Sequence, residues 1–313
     1  MVKAEVREQA ASAAPARFAG YAWMALAYNV TVILWGAYVR ATGSGAGCGN
    51  RWPLCNGVES QSPATATIIE FTHRAMTALD VAVIAWLVIW AFRAFPKRSP
   101  VRFAAALSAV FLVTEALLGA ALVLLNHVAN NASANRAYSL SAHLINTMTL
   151  LACLTMTAWL AGGKPAPRLR GREAWLAGIT LVAFLALGVS GAIAALGDTL
   201  FPAHSLSEGF AQDFNPAASI FVRLRLWHPV LAAVVGLWMG FYGVFCVWRR
   251  RDVQLASGIL MAMVGLQLAA GLMNLALLAP LWSQLLHLLL ADLLWISLVV
   301  LCAEMLAPPP RRI

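Results

Sequence analysis

The chain has 313 residues, 61% of them hydrophobic and only 11% charged, with a mean hydropathy of +0.75. Those values exclude a soluble globular domain and predict an all-α integral membrane protein. The net charge of +9, from 22 Lys and Arg against 13 Asp and Glu, requires no nucleic acid, because most basic residues fall between apolar runs, where they form a solvated rim against lipid headgroups.

A helix crosses a bilayer with roughly 20 apolar residues, and eight runs of that order are read at 18–40, 68–94, 101–125, 138–161, 174–197, 220–248, 254–279 and 281–306. The stretch MVKAEVREQAASAAPAR before them is too polar for a cleavable signal and is expected to remain as a tail. Lys3, Arg7 and Arg17 precede the first span. Arg93, Lys97, Arg98 and Arg102 join the second and third, and Lys164, Arg168, Arg170 and Arg172 join the fourth and fifth. Arg249, Arg250 and Arg251 join the sixth and seventh, and Arg311 and Arg312 follow the eighth. All sixteen fall on one side, so both termini are expected in the cytoplasm. The expected organisation is a tail at 1–17, a four-helix bundle at 18–162, a linker at 163–172, a second four-helix bundle at 173–306 and a tail at 307–313. The six remaining basic residues, Arg40, Arg51, Arg74, Arg136, Arg223 and Arg225, lie at outer helix ends, where insertion energetics do not favour them.

The halves repeat each other. WGAYV of the first span resembles SGAIA of the fifth, with Gly36 and Gly191 155 apart; Glu115-x-x-x-Gly119 resembles Gln267-x-x-x-Gly271, 152 apart; His73 and His228 are 155 apart, His143 and His287 144. Four spans per half make this a parallel repeat about the membrane normal, with two pseudosymmetric bundles. Two outer connections are long, 41–67 and 198–219, and are expected to cap a site near that surface.

His73, His143, His228 and His287 open the second, fourth, sixth and eighth spans, which all run inward from the outer face, so the four share one depth. Zinc would want a third or fourth ligand, and no Cys or second His lies a turn away from any of the four. A di-iron carboxylate centre needs Glu-x-x-His twice, but only Glu70-x-x-His73 has it, positions 140, 225 and 284 being Leu, Arg and Gln. Haem is the fit that remains, a flat apolar macrocycle between helices with two axial histidines in each half. Its propionates give Arg74, Arg223 and Arg225 a task, since arginine binds carboxylates with charge-assisted, often bidentate bonds.

Glu70 has no carboxylate counterpart, because the matching position is Arg225. An intramembrane carboxyl is functional by default, so the N-terminal site reads as reactive and the C-terminal one as holding a resident cofactor. Asp80 extends a proton path or bonds a neighbouring helix; Glu115, His127 and His204 receive no role. In ATGSGAGCGNRWPLCNG, residues 41–57, Cys48 and Cys55 can close a small disulfide ring on an oxidising face, as a staple or as a redox relay. The loop's glycines make no phosphate site, for no strand precedes them, and Cys153, Cys246 and Cys302 read as packing residues.

VRATGSGAGCGNRWPLCNG, then IEFTHR, then RLRLWHP, with single histidines opening the fourth and eighth spans, resemble the haem A synthase family over about residues 18 to 306. The resemblance implies an enzyme that oxidises the C8 methyl of haem O to a formyl group by successive hydroxylations. It implies Glu70 as the essential glutamate, His73 and His143 flanking the substrate haem, His228 and His287 ligating haem b, and Cys48 and Cys55 as the first-loop pair. The second cysteine pair of some members is absent from 198–219. Implied partners are haem O, membrane lipid, haem O synthase, an electron donor and a second copy of the chain. Two other classes stay open: a bis-histidine transmembrane cytochrome b exchanging electrons with quinol, and a transporter or haem-delivery chaperone.

Overall fold

Hydrocarbon offers no partners to backbone N–H and C=O groups, so a chain this apolar satisfies them within helices. The computed structural model describes residues 2–49, 52–55, 64–129 and 131–309; Arg51, Arg311 and Arg312 lie outside the described residues. The helices are α1 (Val2–Ala41), α2 (Ala64–Ala94), α3 (Pro100–Leu124), α4 (Ala134–Ala161), α5 (Gly171–Leu200), α6 (Leu206–Phe214), α7 (Ile220–Arg225), α8 (Trp227–Arg249), α9 (Gln254–Ala276) and α10 (Leu281–Leu306). Among the described residues, eight spans are long and apolar enough to cross a membrane, α7 and α8 together making one of them. The protein is a multi-pass, all-α membrane protein.

Four boundaries differ from the sequence expectation. The tail expected at 1–17 continues α1 upstream to Val2, since its Ala, Glu and Arg are good helix formers whatever their polarity. The sixth span is broken at Leu226, because Pro229 has no N–H to offer the carbonyl four residues back. The outer connection 198–219 contains α6, capped by the Ser205 hydroxyl accepting from Glu208 N at 3.1 Å. The seventh span stops at Ala276, where Leu278 and Ala279 turn left-handed (φ 60° and 51°) ahead of Pro280.

Helices in lipid gain little from hiding apolar surface, so close packing of small residues holds them together. Ala22, Ala25, Ala91, Ala105, Ala120 and Ala158 are buried accordingly, while Phe103, Leu237 and Leu272 stay exposed, as lipid-facing residues do. The first four and last four spans meet along α1, α4, α5 and α10. There Gly188 of α5 admits Leu144 of α4, and Trp295 of α10 stacks on Phe184 of α5 (centroids 5.1 Å apart) while its Nε1 donates to Met148 O of α4 at 2.7 Å. Arg40 at the end of α1 makes the same crossing, donating to Ala195 O (3.0 Å), Thr199 Oγ1 (2.9 Å) and Gln284 Oε1 (3.2 Å).

Candidate functional site

His73, His143, His228 and His287 stand nine, nine, eight and six residues into their spans, or about 9 to 14 Å at a helical rise of roughly 1.5 Å. Each ring rests on a glycine of a neighbouring helix. A Cβ on Gly36 of α1 would lie 3.0 Å from His73 Cε1, one on Gly191 of α5 2.9 Å from His228 Cε1, and one on Gly271 of α9 3.1 Å from His287 Cε1; on Gly119 of α3 it would lie 3.8 Å from His143 Cε1. The same cradle therefore occurs four times, twice in each half.

In the C-terminal half the two imidazoles face each other edge-on, with centroids 6.4 Å apart and planes at 86°. Ser190 Oγ donates to Leu187 O at 2.7 Å, so at 2.9 Å it accepts from His228 Nδ1–H, leaving Nε2 with a free lone pair. Gln267 Nε2 approaches His287 Nε2 at 3.3 Å. In the N-terminal half Glu115 Oε1 lies 3.5 Å from His143 Nδ1, without hydrogen-bond geometry. The Nδ1 atoms of His73, His143 and His287 are buried with no hydrogen-bond partner among the described residues. Buried polar atoms are otherwise paired in the great majority. In the C-terminal half the spacing of the two imidazoles, 6.4 Å between centroids, fits an iron macrocycle held from both faces, since two metal–nitrogen bonds of about 2 Å and two half-rings span about 6 Å.

Glu70, 3% exposed, is held from two sides. Its Oε2 accepts from Cys48 N at 2.8 Å, and its Oε1 from Arg74 at 2.6 and 3.1 Å. Arg74 also donates to Pro53 O and Leu54 O, each at 3.1 Å. Cys48 and Cys55 are bonded to each other, with Cα atoms 4.4 Å apart. The first loop is thus pinned over the start of α2 by a salt bridge to its own helix. Gly47 makes this possible. A Cβ there would meet Ala66 O at 2.3 Å, and Thr67 Oγ1 donates to Gly47 O at 2.7 Å. Gly47→Ala is expected to cost about 1–3 kcal/mol, since a backbone carbonyl cannot move aside; thermal unfolding in detergent measures it, and an unshifted midpoint would show an undocked loop.

Arg225, expected from the sequence at a propionate, is occupied by the chain itself. It donates to Asp198 Oδ1 at 3.1 Å, to Asp213 Oδ1, to Gly209 O at 3.1 Å and to Gln212 Oε1 at 3.3 Å, so it staples α6 to α5 and α7. Arg74 likewise spends its guanidinium on Glu70 and the loop, whereas Arg223 is exposed. Arg136 is buried and donates to Ala129 O and Asn131 O, closing the α3–α4 turn. His127 shares its Nδ1 with Ser139 Oγ at 2.8 Å, and the His204 main-chain amide donates to Glu208 Oε2 at 2.8 Å. Asp80 accepts from Asn29 Nδ2 at 2.6 Å across α1 and α2, the helix-bonding alternative of its two readings.

Asp292 escaped the sequence reading. It is fully buried in α10, with neither carboxyl oxygen hydrogen-bonded among the described residues. The available signal was a lone acid inside an apolar span.

The COX15-CtaA family, described as cytochrome oxidase assembly protein, has a model that matches residues 19–66 and 58–299. The chain belongs to this family. A protein named protoheme IX farnesyltransferase from Thermus thermophilus is 49% identical over 251 residues, covering 78% of this chain and 41% of that protein. Proteins named heme A synthase match shorter stretches. The one from Bacillus licheniformis is 41% identical over 92 residues (29% of this chain, 30% of its own length), and the one from Halalkalibacterium halodurans 37% over 139 residues (44% and 45%). The matched region thus spans less than half the length of each of these relatives. The COX15-CtaA match and the heme A synthase relatives put the chain in a family of haem A biosynthesis.

Proposed function

We propose that the chain is a haem A synthase of a bacterial inner membrane, both termini cytoplasmic, which oxidises the C8 methyl of haem O to a formyl group by successive hydroxylations. One observation carries the reading. Glu70 stands one turn from His73 and Glu115 beside His143, whereas the matching positions near His228 and His287 are Arg225 and Gln267; the buried acid of the other half, Asp292, lies five residues past His287. An electron carrier has no use for that inequality, because each intramembrane carboxyl costs a few kcal/mol to insert.

In this reading His73 and His143 would hold the substrate. Each hydroxylation would take its oxygen from dioxygen, or from water with two electrons passed to an acceptor, and Glu70, one turn from His73, would accept the proton that leaves the methyl group. The Cys48 amide and Arg74 hold the carboxyl group in one orientation. The glycine floors and the loop over α2 keep water from the site. His228 and His287 would hold haem b, which when bound would supply a one-electron acceptor and donor. Of the arginines assigned to propionates, Arg223 is exposed at the surface, while Arg74 and Arg225 reach a propionate only by sharing their present partners. The Thermus relative, named for farnesyl transfer to protohaem and only partly matched by this chain, supports haem O as substrate and haem O synthase as partner.

The experiment is pigment extraction. Expressed with a source of haem O, the wild type is expected to yield haem A on reverse-phase chromatography of acid-acetone extracts. Glu70→Gln, which keeps the shape but not the base, is expected to lose about 10²–10⁴-fold in product while retaining its pigment. Haem A made undiminished by the variant overturns the role of Glu70; none from the wild type overturns the function.

A further inference from the structure

Arg40 and Arg136 have no task in the haem reading, and among the described residues neither meets a carboxylate within ion-pair distance. Arg136 is buried, and its Nε has no hydrogen-bond partner there. The charges that act on Arg40 are those of Arg136 and Asp198, and Asp198 is already bonded to Arg225 at 3.1 Å. Two cations so placed repel each other, and the arrangement is costly unless an anion joins it.

The register of Arg40 shows where that anion sits. Arg40 stands four residues past Gly36, the floor beneath His73, and so one turn nearer the membrane boundary on the same helix face. Its side chain then leaves its own half. Of its three acceptors, Ala195 stands four residues past Gly191, the floor beneath His228, Thr199 one turn further on, and Gln284 three residues before His287. Accepting at 3.0, 2.9 and 3.2 Å, they fix the guanidinium one turn outside both a floor glycine and a histidine of the C-terminal slot. At the repeat spacing of 155 the counterpart of Arg40 is Ala195 itself. The second half therefore has no cation of its own at this place, and the first half lends one across the seam. These bonds use three of the five N–H groups of the guanidinium, leaving Nε–H and one Nη2–H.

We propose that Arg40 binds the guest of the C-terminal slot: its two spare N–H groups take a carboxylate of the tetrapyrrole that His228 and His287 would hold, with Arg136 adding to the positive field. This rests on the haem reading, and it moves a propionate anchor from Arg225, which Asp198 and Asp213 occupy, to an arginine of the other half. Guanidinium and carboxylate form charge-assisted bonds, and the three neutral acceptors hold the donors in place before a guest arrives. The C-terminal site is then complete only when α1 is docked against α5 and α10. The phosphate of an anionic lipid offers the same oxyanion chemistry, so the test separates the two sources.

Full-length protein carrying His143→Ala, which leaves the C-terminal pair of histidines, is depleted of pigment in lipid nanodiscs and titrated with haem or with haem dimethyl ester, whose propionates carry no charge; Soret absorbance reads the binding. Arg40→Gln is expected to weaken haem binding about 10–100-fold, the worth of hydrogen bonds to a charged group, and to leave the ester unchanged. Arg40→Lys is expected to recover part of the loss, and Arg136→Gln to show a smaller one, again for the free acid alone. Haem and ester weakened alike by Arg40→Gln would make the arginine a brace between halves and overturn the inference. So would an ester that binds the unsubstituted Arg40 protein as tightly as haem, a comparison that stands even if Arg40→Gln does not fold. Phosphatidylglycerol lost from the Arg40→Gln protein in native mass spectrometry, with haem binding unmoved, assigns the site to lipid phosphate and also overturns it. A protein that takes up neither pigment brings down the haem reading itself, a failure distinct from the others.

Discussion

A His228→Ala variant is expected to lose haem from its C-terminal half while the N-terminal half keeps its own. His228 is the most completely prepared of the four histidines proposed as ligands. Ser190, committed as a donor to Leu187 O, has only its lone pairs to give Nδ1–H, so Nε2 is left free by construction. Losing a partner behind a ligand costs 10–100-fold in metal affinity, and losing the ligand is expected to exceed about 100-fold. No neighbour can substitute, because no three His, Cys, Asp or Glu side chains converge on any point among the described residues. Pyridine haemochrome analysis reads the pigment per chain. Added imidazole is expected to restore it, since the truncation leaves a ring-sized space above Gly191. Unchanged pigment would show that His228 is not a ligand.

Arg225→Ala has a comparable effect on stability rather than on colour. The guanidinium is 10% exposed and binds two carboxylates, Asp213 at 11% exposure and Asp198 at 34%. Removing one member of a buried ionic group leaves the others uncompensated at roughly 3–5 kcal/mol, and the partial exposure of Asp198 places the expected loss near the lower end, about 3 kcal/mol. Since α6 is held through Gly209, Gln212 and Asp213, its release is expected to open the stretch from Phe201 to Ser219 to protease. Arg225→Lys restores the charge but not the fork that spans two acids, so it recovers only part. Wild-type protease resistance in the alanine variant would disprove the staple.

The spans could be read from sequence because an apolar run of bilayer length admits one backbone solution. Their ends could not, as the break at Leu226 shows: VRLRLWHPVL stays apolar enough to cross, and only Pro229 marks the interruption. Helix α6 was hidden among polar residues, although Leu206, Phe210 and Phe214 recur at helical spacing. The four histidines stood out by register. Their second partners did not, because Ser190 and His228 are 38 residues apart and meet only once α5 and α8 pack. Glu70 was conspicuous as an acid in a membrane helix, but its main-chain donor, the Cys48 amide, carries no side-chain signature. Arg74 and Arg225 were assigned to a guest's carboxylates because they neighbour histidines. The acids that occupy them were also in the sequence, yet Asp198 and Asp213 lie 27 and 12 residues from Arg225, and charge alone does not say which anion a cation meets.

The glycines beneath the imidazoles carry a mechanical consequence. A side chain in that place could swing to another rotamer and widen or narrow the slot; a main chain has no such freedom. The gauge of each slot is therefore set by how far apart whole helices ride, and lipid thickness, which tilts helices to relieve mismatch, acts on the fit of the guest more directly than any single neighbouring rotamer.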